Sequence, residues 1–127
     1  MNEFTEFCRK RYYAFGYAFK GAWDLLRNHA PSKIHMLALL GMATTSWWLD
    51  FPMWKWVIVI MCSGMVLASE ALNTAIEYVV DLVSPEYNEL AGKAKDVAAA
   101  AVLFTSMASA IIAALLIWDA LVVVNVP

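Results

Sequence analysis

"VLASEALNTAIEYVVDL", residues 66–82, decides how this chain is read. Its apolar residues belong in a membrane-crossing helix, yet it carries Glu70, Glu77, Asp81 and the amide Asn73. On an insertion scale, an acidic side chain near the bilayer centre costs about 2.5–3.5 kcal/mol. Projection at about 100° per residue resolves part of the conflict. With Glu70 at zero, Glu77 falls near −20°, Asp81 and Ser63 near +20°, and Asn73 near −60°, all within roughly 80°. The polar groups form one stripe, and the rest of the helix is free to face lipid. Glu70 and Glu77 lie about 10.5 Å apart along the axis, too far to share one metal ion, which favours different tasks for them.

The chain has 127 residues, 62% hydrophobic and 16% charged, with a mean hydropathy of +0.61. Soluble domains run at about 45–50% apolar and 25% charged. One domain this small has more apolar surface than it can bury against itself. The net charge of −2 and the lack of a basic, aromatic-studded stripe argue against nucleic acid. Cys8 and Cys62 have no metal-ligand spacing, and Cys62 reads as a packed thiol in an apolar run. Residues 1–30 hold no uninterrupted apolar core of a leader peptide, so insertion is expected to rely on internal segments.

Three apolar segments are expected to span the membrane: 34–49, 54–83 and 97–122. The first is short for a hydrocarbon core of about 30 Å unless flanking residues help. The Ala and Ser residues of the third suit close helix–helix approach in lipid. Residues 4–28 place Phe7, Phe15, Ala18, Ala22 and Leu25 at helical spacing among Arg9, Lys10, Arg11, Lys20 and Arg27. That pattern predicts an amphipathic helix lying in the interface. Ser84-Pro85 closes the second span, and 84–96 is expected to be a loop ending in Lys95-Asp96.

Lys and Arg counts set the expected orientation. Six basic residues at Arg9 to Lys33 precede the first span, and Lys93 and Lys95 lie in the 84–96 loop. The 50–54 turn side has Lys55 alone, with Trp47, Trp48, Trp54 and Trp56 gathered as an interfacial belt. The N-terminus and the 84–96 loop are therefore expected in the cytoplasm, and the C-terminus outside. For the stripe itself, four roles are open: hydrogen bonding between helices or subunits, a proton or cation pathway, a passive lipid-binding module, or an enzyme. The enzyme is favoured, because one carboxylate can serve as a base while another holds a metal.

The run "EALNTAIEYVVDLVSPEYNELAGKAKDVAAAAVL", residues 70–103, resembles the prokaryotic diacylglycerol kinase family, which includes undecaprenol kinases. "GYAFKG" at 16–21 and "WLD" at 48–50 are similar to further anchors of that family, in its order and spacing. The resemblance implies an all-α integral-membrane fold: a surface helix plus three transmembrane helices, assembled as a homotrimeric bundle with sites shared between subunits. It implies a kinase of the bacterial inner membrane that phosphorylates a lipid alcohol with ATP and Mg²⁺. Diacylglycerol is the expected substrate and undecaprenol the alternative.

Residue by residue, the resemblance makes Glu70 the general base, with Trp48 and Ala99 also on the lipid side. Glu77 would bind the metal bridging the phosphates. Lys10, Tyr17, Asn73, Asp81, Glu86, Tyr87, Asn88, Lys95 and Asp96 would join Glu77 around the nucleotide. No Walker lysine motif or protein-kinase glycine-rich loop occurs. The chain departs from the family at His29, where a metal-binding glutamate is usual. Imidazole can ligate metals, but Mg²⁺ prefers oxygen. Lys10 replaces a common arginine, keeping charge without bidentate contact. His35, in "KIHM", reads as an interfacial residue where the first span begins.

Overall fold

Prolines and short polar residues set the helix breaks. The computed structural model describes residues 2–124, which form α1 (Glu3–Asn28), α2 (Ala30–Trp48), α3 (Met53–Val83) and α4 (Glu89–Val124). Between α1 and α2, His29 alone adopts an extended backbone (φ −106°, ψ 118°). Pro31 follows in the first turn of α2, where its missing N–H is no loss. Between α2 and α3, Asp50 takes a left-handed conformation (φ 49°), which Asp tolerates better than most residues. The Phe51 N–H then bonds back to the Ser46 carbonyl at 3.0 Å. Pro52 caps α3.

The connection expected over 84–96 is shorter than the hydropathy implies. α4 begins at Glu89, because Asn88 Oδ1 accepts the N–H groups of Leu90 (2.9 Å) and Ala91 (3.2 Å). This is a side-chain N-cap. The polar first turns of α4, steadied by the Lys93–Glu89 pair, lie ahead of its apolar run. At 31 and 36 residues, α3 and α4 extend about 46 and 54 Å. Among the described residues these two are long and apolar enough to cross a membrane. α2 has 19 residues and is not among them.

α3 and α4 form the main pairing, with α2 laid against α3 and the last turns of α1 reaching both α2 and α3. A buried cluster of Phe51, Val59, Leu116 and Ala120 lies next to the α2–α3 turn, packed by Met42, Leu49, Trp56 and Ile112. Beside it, buried Lys55 bonds to Asp119 Oδ2 at 2.8 Å and to the Leu116 carbonyl at 3.2 Å. Its ammonium also lies 4.8 Å from the Phe51 ring centre and 5.5 Å from that of Trp54. Seven apolar residues are buried among those described, too few for a water-soluble core. Leu37, Leu82, Phe104, Ile111 and Trp118 are instead exposed, as contact with lipid allows. Along α1, Leu25 alone is buried.

Candidate functional site

The stripe on α3 divides into separate environments. Glu70 is 3% exposed. Its Oε1 accepts the hydroxyl of Ser32 at 3.3 Å, and its Oε2 lies 3.9 Å from His35 Nε2. Ser32 is the third residue of α2, so the carboxylate sits at the start of that helix. α2 has no acidic residue in its first turn and no side-chain N-cap. The first N–H groups of a helix have no partner within it, so Glu70 sits where the chain offers polar contacts in place of lipid.

One turn further along α3, Asn73 Nδ2 donates to Glu77 Oε1 at 2.9 Å. Asn73 Oδ1 is buried and meets no donor. A carbonyl oxygen lacking a partner beside a carboxylate suits a hard divalent cation. Among the described residues, no group of three or more His, Cys, Asp or Glu gathers for a metal. Two oxygen-bearing side chains fit Mg²⁺, which usually takes one or two protein ligands and completes its shell with phosphate and water.

His29 is engaged elsewhere. The Tyr78 hydroxyl donates to Asp24 Oδ2 at 2.8 Å and lies 2.7 Å from His29 Nε2. Asn28 Nδ2 donates to the other oxygen of Asp24 at 2.6 Å. The Tyr78 hydrogen bond, then that of Asn28, holds the Asp24 carboxyl below its usual range. Asp24 is thus an acceptor only, and the single phenolic proton points to it. Nε2 of His29 must then carry the hydrogen, giving a directed chain from His29 through Tyr78 to Asp24. This ties the end of α1 to α3 one residue beyond Glu77. It also occupies the His29 nitrogen that a metal role would most readily use.

The remaining predicted nucleotide residues lie at the end of α3 and start of α4, or along α1. Lys95 Nζ donates to Asp81 Oδ1 at 2.5 Å, joining the two helices. Asp96 is exposed, Tyr87 is 95% exposed, and Asn88 is spent on capping α4. The Glu86 carbonyl accepts from Ser84 Oγ at 3.3 Å. On α1, Lys10 pairs with Glu6 at 3.0 Å, and Lys20 lies 5.9 Å from the ring centre of Tyr17. The structure joins Asn73 to Glu77 and Asp81 to Lys95, while Lys10 and Tyr17 contact their own helix.

On the lipid side, Trp48 ends α2, whereas Glu70 is held by Ser32 at its beginning. Sixteen residues of helix separate Trp48 from Ser32, about 24 Å along the axis. Ala99 is exposed on α4. What sequence reasoning missed is the α2 side of the carboxylate, Ser32 and His35. A serine and a histidine in the first turns of an otherwise apolar helix were the available signal. Next to Glu70, small residues Ala18, Gly21 and Ala22 of α1 face Met36, Leu67 and Ala71 across a gap of about 450 Å³.

The family model described as prokaryotic diacylglycerol kinase matches residues 16–117. The chain is 37% identical to a diacylglycerol kinase of Escherichia coli K12 over 84% of its own length and 87% of that protein. It is 31% identical to an undecaprenol kinase of Bacillus subtilis 168, over 91% of this chain and 90% of that one. A diacylglycerol kinase of Synechocystis is 35% identical over 78% of this chain and 57% of its own.

Proposed function

From the premise that this chain belongs to the prokaryotic diacylglycerol kinase family, we propose that it transfers the terminal phosphoryl group of ATP to diacylglycerol, with Glu70 as general base. Membership makes it a lipid kinase, which supports the enzyme among the roles open for the stripe. The observation that carries the mechanism is the buried Glu70 carboxylate, held by the Ser32 hydroxyl at the start of α2. A carboxylate shielded from water and fixed in position can accept the hydroxyl proton of a lipid as its oxygen attacks phosphorus.

Glu77 and Asn73 would hold the cation that accompanies the nucleotide, which neutralises phosphate charge when bound. Asp81 and Lys95 lie beyond Glu77 towards the end of α3, where a water-soluble nucleotide enters. Lys95 supplies positive charge for phosphate once it exchanges its bond to Asp81. Glu86, Tyr87 and Asp96 border that end, and Tyr17 and Lys10 would close over it from α1. On this reading α2 is the third membrane span. α1 lies at the cytoplasmic face with the α3–α4 connection, and the C-terminus faces outward. The exposed apolar sides of α2 to α4 would be covered by lipid and by two further subunits of a homotrimer.

Undecaprenol remains the second substrate reading, because the similarity to the Bacillus subtilis undecaprenol kinase extends over 91% of the chain. Purified protein given radiolabelled ATP and Mg²⁺, with diacylglycerol and undecaprenol in parallel, separates them. Faster labelling of diacylglycerol is expected. Preferred labelling of undecaprenol reverses the assignment, and labelling of neither lipid by trimeric protein defeats the kinase mechanism.

A further inference from the structure

A base as enclosed as Glu70 needs a route for its proton. Each turnover leaves on the carboxylate the proton given up by the lipid hydroxyl, and the residue is 3% exposed. Ser32 already donates to Oε1 and is too weak a base to remove a proton. At Oε2 stands His35 Nε2, 3.9 Å away. The imidazole is itself 21% exposed and lines a cavity of about 220 Å³ between α2, α3 and α4. Its wall is mostly apolar, with hydroxyls from Ser63, Ser106 and Ser109. Ser106 Oγ is buried without a partner. The titratable groups sharing this region with His35 are Glu70 and Cys62 of α3, while α4 offers only the two serines.

We infer that His35 collects the reaction's proton from Glu70 and returns the carboxylate to its basic state, an inference that rests on Glu70 being the base. The lipid O–H bond breaks as the new O–P bond forms, and the proton passes to Glu70. The protonated carboxyl then gives it to Nε2 of neutral His35, restoring the carboxylate and forming an imidazolium. The imidazolium releases a proton to water, and the cycle balances. At 3.9 Å the pair is too far apart for direct transfer, so a small rotation of the ring or one bridging water completes the contact. His35 acts through Glu70 and does not touch the lipid.

Rapid-quench measurement on His35→Gln with radiolabelled ATP and diacylglycerol in mixed micelles tests this. The first turnover per site proceeds at the wild-type rate, because Glu70 starts out basic. Later turnovers fall by about tenfold or more, and added imidazole buffer restores them. The burst amplitude counts competent sites, so partial misfolding lowers that amplitude without changing the ratio of first to later turnover rates. Ser32→Ala serves as the control, with no burst and no response to imidazole. An unchanged steady state in His35→Gln overturns the relay. So does a first turnover slowed equally without imidazole rescue, which reduces His35 to holding Glu70 in place. Retained first-turnover chemistry in Glu70→Gln instead removes the base itself, so the two failures are distinguishable.

Discussion

Ser32, at the third position of α2, donates its hydroxyl to Glu70, eighteen residues into α3, across 3.3 Å. Two helices therefore begin at different levels, and α3 runs on past the start of α2 by more than three turns. Glu70 lies where α1 turns into α2, and the 13 residues after it carry Glu77, Tyr78 and Asp81 further out. The stripe extends along the protruding end of α3, between the helix start beside Glu70 and the Asp81–Lys95 pair.

The cation site predicts a change in binding apart from turnover. Glu77→Gln keeps the shape and the Asn73 contact but removes the charge that would balance a divalent ion. Manganese, used as a paramagnetic probe in the presence of ATP, is expected to bind at least about tenfold more weakly to this variant. Asn73→Ala should weaken it less, since a carbonyl oxygen carries no net charge. Unchanged affinity in Glu77→Gln would place the cation elsewhere.

The His29–Tyr78–Asp24 chain predicts that the end of α1 is fastened to α3 by the Tyr78 hydroxyl. Tyr78→Phe should speed hydrogen exchange in residues 22–28 and leave α4 unchanged. Its pH dependence follows from Asp24, whose carboxyl is held below its usual range by Tyr78 and Asn28. The fastening is complete above the ordinary aspartate value of about 4 and is lost as pH falls through the lowered folded value. Asp24→Asn should therefore match the wild type at strongly acidic pH and exchange faster than it at neutral pH.

Lys55 and Asp119 predict an asymmetry at the other end of the bundle. Lys55 is 3% exposed, and Asp119 is its counter-charge. Asp119→Ala leaves a buried ammonium with only the Leu116 carbonyl and two rings, and should cost about 1–3 kcal/mol of stability. Lys55→Met removes the charge along with its need for a partner, and is expected to cost less. Thermal unfolding of the two variants in the same detergent checks the order.

The stripe was legible because an α-helix has a fixed angular period, so residues 63 to 81 could be projected with no knowledge of the rest of the fold. The partners of its members were not. Ser32 and His35 lie more than 30 residues from Glu70 in the chain, and Asp24 lies 54 from Tyr78. Helical periodicity carries no information about which helix faces which. The start of α4 was misplaced for a local reason, since hydropathy marks the apolar run while Asn88 caps the helix before it. His29 stood out in the sequence as a replaced metal ligand, but its partner is a phenol, Tyr78, that no metal-site pattern would have selected.

The central claim is that a buried carboxylate on α3 accepts the proton of a lipid alcohol during phosphoryl transfer. Glu70→Gln preserves size and the Ser32 contact while abolishing basicity. The direct measurement is single-turnover phosphorylation of diacylglycerol by this variant, alongside its equilibrium binding of ATP. Phosphoryl transfer is expected to fall by about a hundredfold or more while ATP affinity is unchanged. Transfer at the wild-type rate with ATP binding intact would contradict it.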